Sequence, residues 1–264
     1  MENIATFNAK NLQTHIKKQI AIGETMDIYK INQLEQLIEG NSYVGRGIIL
    51  GKTPDGKKAV SAYFIMGRSA NSRNRVFVER NGEIFTEPFD ASKVEDPSLI
   101  IYSAIRKYQN NLIVTNGNQT DTIYDGFVNG LSFDQALTSR EFEPDYPNLT
   151  PRISGVITFE NNDFTYKMSI LKSADEKGSA CNRYGFHYNS LAGLGHFIHT
   201  YVCDGNPIPT FQGEPERMAM VNDIDEFTNR LWKALDEQNK ISLYVRYTDI
   251  ETNDVESRLI NKNK

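Results

Sequence analysis

Apolar positions along the chain change their period near residue 43. Before it, Ile4, Phe7, Leu12, Ile16 and Ile20 fall roughly on one helical face. Ile31, Leu34, Leu37 and Ile38 make a second stripe that stops at Gly40. After it, runs of β-formers take over. Residues 43–51 and 59–66 flank Thr53-Pro54-Asp55-Gly56, where proline presets φ and glycine accepts φ > 0, so the pattern predicts a hairpin. Residues 75–79 and 83–85, joined by Asn81-Gly82, predict another. Asp96-Pro97 carries a capping carboxylate followed by proline and predicts a helix running to about Tyr108. A short strand is predicted over 111–115 and a short helix over 132–139. Strands follow over 152–159, 164–171 and 180–187. Over 225–237 an amphipathic helix is predicted, with Ile224, Phe227, Leu231 and Leu235 on one face. Residues 241–249 and 255–260 read as a closing hairpin.

Strands thus arrive mostly as hairpins with helices between them. This order predicts antiparallel sheets covered by helices, an α+β class, and not a parallel doubly wound sheet. No internal repeat or linker divides the chain, so residues 1–264 read as one domain with a helical extension over 1–42. A chain of 264 residues buries a sizeable core without staples.

Charge and composition narrow the partners. A net charge of −5 argues against a nucleic-acid binder, while a few local arginines still suit a small anion. Two cysteines, Cys181 and Cys203, make no disulfide framework. The start lacks the basic and apolar regions of a signal peptide, and no apolar run reaches membrane-spanning length. The expectation is a soluble cytoplasmic protein, without membrane or nucleic-acid partner.

Three polar stretches carry candidate chemistry. Gly67-Arg68-Ser69-Ala70-Asn71-Ser72-Arg73-Asn74-Arg75 holds three arginines, two serines and two asparagines. Guanidinium forks and hydroxyls suit phosphate oxygens, although a solvated basic loop has the same composition. Residues 115–122, Thr-Asn-Gly-Asn-Gln-Thr-Asp-Thr, offer amides and hydroxyls for a heterocycle or ribose. They equally suit an Asx-rich turn, with Thr120 or Asp121 capping the next helix. Residues 140–152 contain three prolines that frame Glu143, Asp145 and Arg152. A stiff loop can place a general base, or simply connect two elements.

Other constellations weigh less. Tyr102 lies amid aliphatic residues and reads as core. His187, His196 and His199 with Cys181 and Cys203 invite a zinc reading, and His196 and His199 would suit a helical pair. No Cys-x-x-Cys pair or carboxylate completes a known spacing, so no metal is expected. Walker, dinucleotide and Gly-x-Ser-x-Gly signatures are missing from the sequence.

Taken together, the segments resemble one family. Tyr43-Val44-Gly45-Arg46-Gly47, Ala62-Tyr63-Phe64, the arginine loop from Arg68, Ile101-Tyr102-Ser103-Ala104-Ile105-Arg106, Asn116-Gly117-Asn118-Gln119-Thr120-Asp121-Thr122-Ile123 and Asn148-Leu149-Thr150-Pro151-Arg152-Ile153 are similar, in order and spacing, to segments of the archaeal-type inosine monophosphate (IMP) cyclohydrolases. The likeness covers about 43–160. Two departures stand out. Residues 1–42 precede the point where archaeal members begin, and Gln119 stands where they are expected to carry histidine.

The resemblance implies a four-layer αββα sandwich like the N-terminal-nucleophile hydrolases, without self-processing. Roughly forty residues before the first strand leave no terminal amine where such a nucleophile would sit. It implies cyclisation of 5-formamidoimidazole-4-carboxamide ribonucleotide (FAICAR) to IMP and water, with no cofactor. It also implies site roles. Arg73, Tyr102 and Glu143 would be catalytic. Arg68 would hold phosphate or oxyanion, Asn116 and Asp121 the base or ribose. Arg46, Tyr63, Ser69, Asn71 and Arg152 would add substrate contacts. A homo-oligomer is expected, as for many layered nucleotide enzymes. The competing readings are a silent purine-nucleotide-binding paralogue and an amidohydrolase using Ser69 or Cys181.

Overall fold

The computed structural model describes residue 27, residues 29–94 and residues 101–263. The expected helix over residues 4–20 therefore lies outside the described residues. Residues 31–264 form one compact unit.

Two antiparallel sheets make up the unit. In the first, β1 (Arg46–Lys52) pairs with β2 (Lys58–Met66) through the Thr53–Gly56 turn, closed by Thr53 Oγ1 donating to Asp55 at 2.6 Å. β10 (Leu194–His199) and β11 (Glu216–Ala219) extend it on one side. β12 (Lys240–Asp249) and β13 (Val255–Asn261) extend it on the other, giving the order β11-β10-β1-β2-β12-β13. The second sheet is a meander in strict chain order. It runs through β3 (Val76–Arg80), β4 (Glu83–Glu87), β5 (Tyr102–Tyr108), β6 (Asn111–Thr115), β7 (Arg152–Glu160), β8 (Asp163–Ser173) and β9 (Cys181–Asn189). Asn81 and Gly82 join β3 to β4 with φ of 54° and 76°, the left-handed values expected for this dipeptide.

Alternation along the strands decides which faces meet. Ile48, Leu50, Tyr63 and Ile65 of the first sheet pack on Ile84, Ala104, Val114, Ile153 and Met168 of the second. The other face of the first sheet, with Ile49, Phe64 and Leu243, is covered by α1 (Leu34–Ile38) and α5 (Ile224–Ala234) through Leu34, Ile38, Phe227 and Leu231. The outer face of the second, with Ile113, Val156 and Leu171, is covered by α3 (Gln119–Val128) and α4 (Phe133–Ala136) through Ile123 and Phe133. A short α2 (Ala70–Arg73) sits in the arginine loop. The fold is α+β, as the hairpin order predicted.

Three expectations need correction. Residues 95–100 lie outside the description, but Tyr102–Tyr108 is strand β5, not helix. Short apolar runs fit either period, and here Tyr102, Ala104 and Ile105 are taken into the inter-sheet core. The polar stretch at 115–122 is mostly not a loop. Helix α3 begins at Gln119, with Thr120 and Asp121 inside its first turn and Asn118 at the N-cap. His196 and His199 lie on β10, not a helix. At a spacing of three on a strand they point to opposite faces and cannot form a pair.

Candidate functional site

The polar stretches converge on one end of both sheets. The start of β1, the loop after β2, the loop entering β7 and the segment after β10 together form a cleft of about 240 Å³. Of the residues singled out in the sequence, Arg46, Arg68, Ser69, Asn71 and Glu143 line it. So do Tyr43, Ser72, Arg75, Asp145, Thr150 and Tyr201.

Gly45 explains how Arg46 enters. Its φ is +79°, and a Cβ there would lie 2.1 Å from Thr200 Oγ1 and 2.6 Å from the Tyr201 ring. Only glycine lets the chain pass this close to β10 while turning into β1. Arg46 is buried. Desolvation acts to lower its pKa, but Tyr43, Glu143, Tyr201 and Tyr102 more than offset it, so the guanidinium stays charged. Arg75 is also buried. Desolvation, then the neighbouring Arg46, lowers its pKa. Two close cations out of water favour an anionic or strongly polar occupant.

Two buried polar atoms at this cleft, Arg75 Nε and Asn71 Oδ1, have no partner in the protein. Each such atom costs about 1–3 kcal/mol unless something else satisfies it. The mouth is more exposed. Arg68 lies there, ion-paired to Asp204, donating to the Gly205 carbonyl at 2.8 Å and stacked over the Tyr43 ring. Ser69 caps α2 by accepting from Ser72 N at 3.1 Å.

Glu143 faces the buried arginines. Its backbone N–H donates to the Thr150 carbonyl at 2.8 Å, which fixes the loop. Among the described residues nothing donates a hydrogen bond to its carboxylate, and the cation within 4 Å is Arg152, at 3.7 Å. Burial raises its pKa above the ordinary carboxylate value, with Arg46 and Arg152 pulling the other way. A carboxylate with free lone pairs and a raised pKa has the properties of a general base. Nearby, Asp145 accepts from Thr150 N at 2.6 Å and from its hydroxyl, and Tyr201 shares that hydroxyl at 2.5 Å.

Tyr63 and Tyr102 share a hydrogen bond of 2.9 Å between the sheets. Tyr102 acts electrostatically on both Arg46 and Arg75. Burial, then Tyr102, pushes the Tyr63 hydroxyl well above the ordinary phenol value, so it remains a neutral donor.

Other expected contacts lie elsewhere. Arg73 turns away from the cleft, donating to the Gly67 carbonyl at 3.0 Å and to Asn239 at 2.8 Å. Asp121 accepts from Arg106 at 2.8 Å on α3. Asn116 spends its amide inside the protein, donating to the Pro151 carbonyl and accepting from Ile153 N, each at 2.9 Å. Arg75 was the signal missed. It shares strand parity with Phe77, an inter-sheet core residue, so alternation already aims it inward. Tyr201 follows β10, a strand whose sequence gave no clear period.

The remaining candidates serve structure. His196 stacks on Tyr188 at 3.7 Å and bonds Tyr166 at 2.6 Å, and burial pushes its pKa down to about 4. His199 donates from Nδ1 to the Tyr201 carbonyl at 2.7 Å. His187 lies near Asp134, at 3.4 Å. Cys203 is exposed, and burial raises the Cys181 thiol on edge strand β9. Neither cysteine lines the cleft, and the Ser69 hydroxyl bonds only Ser72 among the described residues. A nucleophile with a base is therefore missing from the described site.

Comparison with known proteins points to one family. A protein from Methanopyrus kandleri named IMP cyclohydrolase is 37% identical over 115 residues, 42% of this chain and 57% of its own length. One of the same name from Methanococcus aeolicus is 30% identical over 165 residues, 61% of this chain and 75% of its own. The chain thus spans less than two thirds of the Methanopyrus relative and three quarters of the Methanococcus one. The family model described as IMP cyclohydrolase-like protein matches residues 43–254, from the cleft's Tyr43 through β12. This match takes in the whole second sheet, all of the first but β13, and every residue that lines the cleft, and on it the chain belongs to the IMP cyclohydrolase-like family.

Proposed function

We propose that the chain is an IMP cyclohydrolase, closing the second ring of the purine by dehydrative cyclisation of FAICAR. The observation that carries the reading is the unbonded Glu143 carboxylate facing Arg46 and Arg75 in a cleft that leaves Asn71 Oδ1 and Arg75 Nε without protein partners. The names of the archaeal relatives supply IMP, and the family resemblance of the sequence supplies FAICAR as its precursor.

The chemistry is assigned to Glu143 and Arg75, which line the cleft, and to Tyr102, which lies behind that lining in the inter-sheet core beside Arg46 and Arg75. The carboxamide nitrogen is a poor nucleophile, so Glu143 takes one of its protons as that nitrogen bonds to the formyl carbon. The formyl oxygen gains charge and then a proton, with Tyr102 donating and Arg75 stabilising the charge. The resulting carbinol loses its hydroxyl, together with the former formamide N–H proton, as water. This leaves the new carbon–nitrogen double bond of the purine. Holding the formyl group over the amide lowers the entropic part of the barrier. Arg75 takes the role that resemblance gave to Arg73, because Arg75 lines the cleft beside Glu143 and Arg73 bonds Asn239 instead. Arg68, Ser69 and Ser72 at the mouth would receive the 5′-phosphate.

The finer fold likeness, a four-layer αββα sandwich of the N-terminal-nucleophile hydrolase type without self-processing, is part of this proposal. It is supported by helices covering the outer faces of both sheets. So are self-association and a cytoplasmic location. Among the described residues no helix is long and apolar enough to cross a membrane. The test is ultraviolet absorbance of the purified protein with FAICAR. Purine formation above the buffer rate supports the enzyme. Nucleotide binding without turnover would select the silent paralogue.

A further inference from the structure

Glu143 poses an electrostatic puzzle. Arg46, Arg75, Arg140 and Arg152 all act on it, Asp145 lies on its own loop, and Tyr102 shares Arg46 and Arg75 as neighbours. A carboxylate so surrounded ordinarily collapses into a tight bidentate pair with a guanidinium. A base held in that way has its lone pairs occupied and its basicity reduced. Yet Arg152 Nη1 stops 3.7 Å short of Glu143 Oε1.

The reason is Gln119. Its side chain is fully buried and outside the cleft lining. Its Oε1 accepts from Arg152 Nη1 at 2.8 Å. Its Nε2 donates to Asn116 Oδ1 at 2.9 Å and to the Ile153 carbonyl at 3.2 Å. Asn116 is itself pinned to the backbone of Pro151 and Ile153. Gly117 leaves the room for this cluster. A Cβ there would lie 2.5 Å from Arg152 Nη1, 2.7 Å from Gln119 Oε1 and 3.3 Å from Glu143 Oε1. One N–H of the Arg152 nitrogen nearest the base is thus committed to a neutral amide anchored on both sides, which holds that nitrogen 3.7 Å from Glu143.

We propose that Gln119, braced by Asn116, is a positioning residue that withholds Arg152 from Glu143 and so keeps the Glu143 carboxylate free to take the substrate proton. It does not touch the substrate. This rests on the reading of Glu143 as the base. Histidine at position 119 keeps the clamp. A neutral imidazole has one donor and one acceptor, the same pattern used here toward Asn116 or Ile153 and toward Arg152.

Removing the acceptor frees Arg152 to slide less than 1 Å into contact with Glu143. A contacting guanidinium lowers a carboxylate pKa by about one unit or more. The experiment measures kcat and KM for FAICAR against pH in wild type, Gln119→Leu, Gln119→His and Glu143→Gln. In Q119L, kcat falls roughly tenfold, a fraction of the usual general-base contribution. The acid limb of its kcat profile moves to lower pH by about one unit. Q119H restores both, which a merely structural defect would not allow. If Q119L does not fold, Gln119→Met supplies the same loss of acceptor at near-equal volume. A change in KM alone, with kcat and the acid limb at wild-type values, would overturn the clamp in favour of a substrate contact. A Q119H that stays as impaired as Q119L would overturn it too. Failure of the underlying reading is separate, since it shows as a fully active E143Q whatever Gln119 does.

Discussion

Replacing Tyr102 by phenylalanine removes one oxygen atom and no packing volume, yet the structure assigns it two distinct consequences. Tyr63 is fully buried and its hydroxyl bonds the Tyr102 hydroxyl at 2.9 Å. In Tyr102→Phe that hydroxyl is left in the inter-sheet core without a partner, which costs about 1–3 kcal/mol. For a protein of this size each kcal/mol moves Tm by roughly 2–4 °C, so a loss of about 2–12 °C is expected. Tyr63→Phe strands the Tyr102 hydroxyl in the same way, with Tyr102 only 5% exposed. Removing both hydroxyls leaves two apolar rings of matched shape, which can be nearly neutral. The double variant is therefore less destabilised than the sum of the singles, by about 2–6 kcal/mol, the two stranding costs together. The assay is denaturant unfolding of wild type, both singles and the double, with cyclisation rates measured on the same samples. In the proposed mechanism Y102F also loses roughly 100-fold in rate, more than Y63F, because only Tyr102 donates to the reacting oxygen. Strictly additive stabilities would refute the pairing. Equal rate losses in the two singles would refute the assignment of the donor.

Glu143 predicts a trade between stability and function. Burial raises its pKa, so the folded chain holds this proton more tightly than the unfolded one. The contribution to stability is full below the unfolded value and is lost as pH rises through the folded one. At about pH 8 the buried charge therefore opposes folding, and Glu143→Gln should melt at a higher temperature than wild type, with the gap narrowing as pH falls. Gly45→Ala forces a side chain to φ +79° and 2.1 Å from Thr200 Oγ1. Calorimetry should show a loss of about 3 kcal/mol or more, with cleft binding impaired. Arg230 donates to both Glu35 oxygens, at 2.7 and 2.9 Å, and ties α1 to α5 at a partly exposed site. Arg230→Ala should cost about 0.5–1 kcal/mol, less at high salt, and leave cyclisation intact.

The hairpins were legible because turn chemistry is local. Pro54-Asp55-Gly56 and Asn81-Gly82 specify their own dihedrals, and alternation on either side fixes which residues face inward. Helix α5 was equally clear, with Asp223 capping it by accepting from Glu226 N at 2.7 Å. Where the pattern misled, tertiary context decided. Tyr102–Tyr108 has the apolar density of a helix face, but the sheet needed a strand between β4 and β6. Strands β10 and β11 went unread. Buried His196 and His199 break the apolar period of one, and the other is only four residues long. At the cleft, residue types pointed to the loops that line it and not always to the side chains that do. Arg73 and Arg75 are indistinguishable by composition, and the fold separates them: Arg73 ends helix α2 and bonds Asn239, whereas Arg75 enters β3 in phase with Phe77 and lines the cleft. Asn116 reads as a ligand contact because amides suit heterocycles, and Gln119 is a departure from the family pattern; in the fold Gln119 bonds both Asn116 and Arg152. No local signal reveals that a polar residue's bonds are already spent.

The central claim is that Glu143 is the base of a FAICAR cyclisation. The most direct measurement is single-turnover cyclisation by wild type and Glu143→Gln, with IMP binding measured on the same preparations. The account predicts IMP formation by wild type, a loss of roughly 100-fold or more in E143Q, and IMP binding retained in both. An E143Q that cyclises at the wild-type rate, or a wild type no faster than buffer, would contradict it.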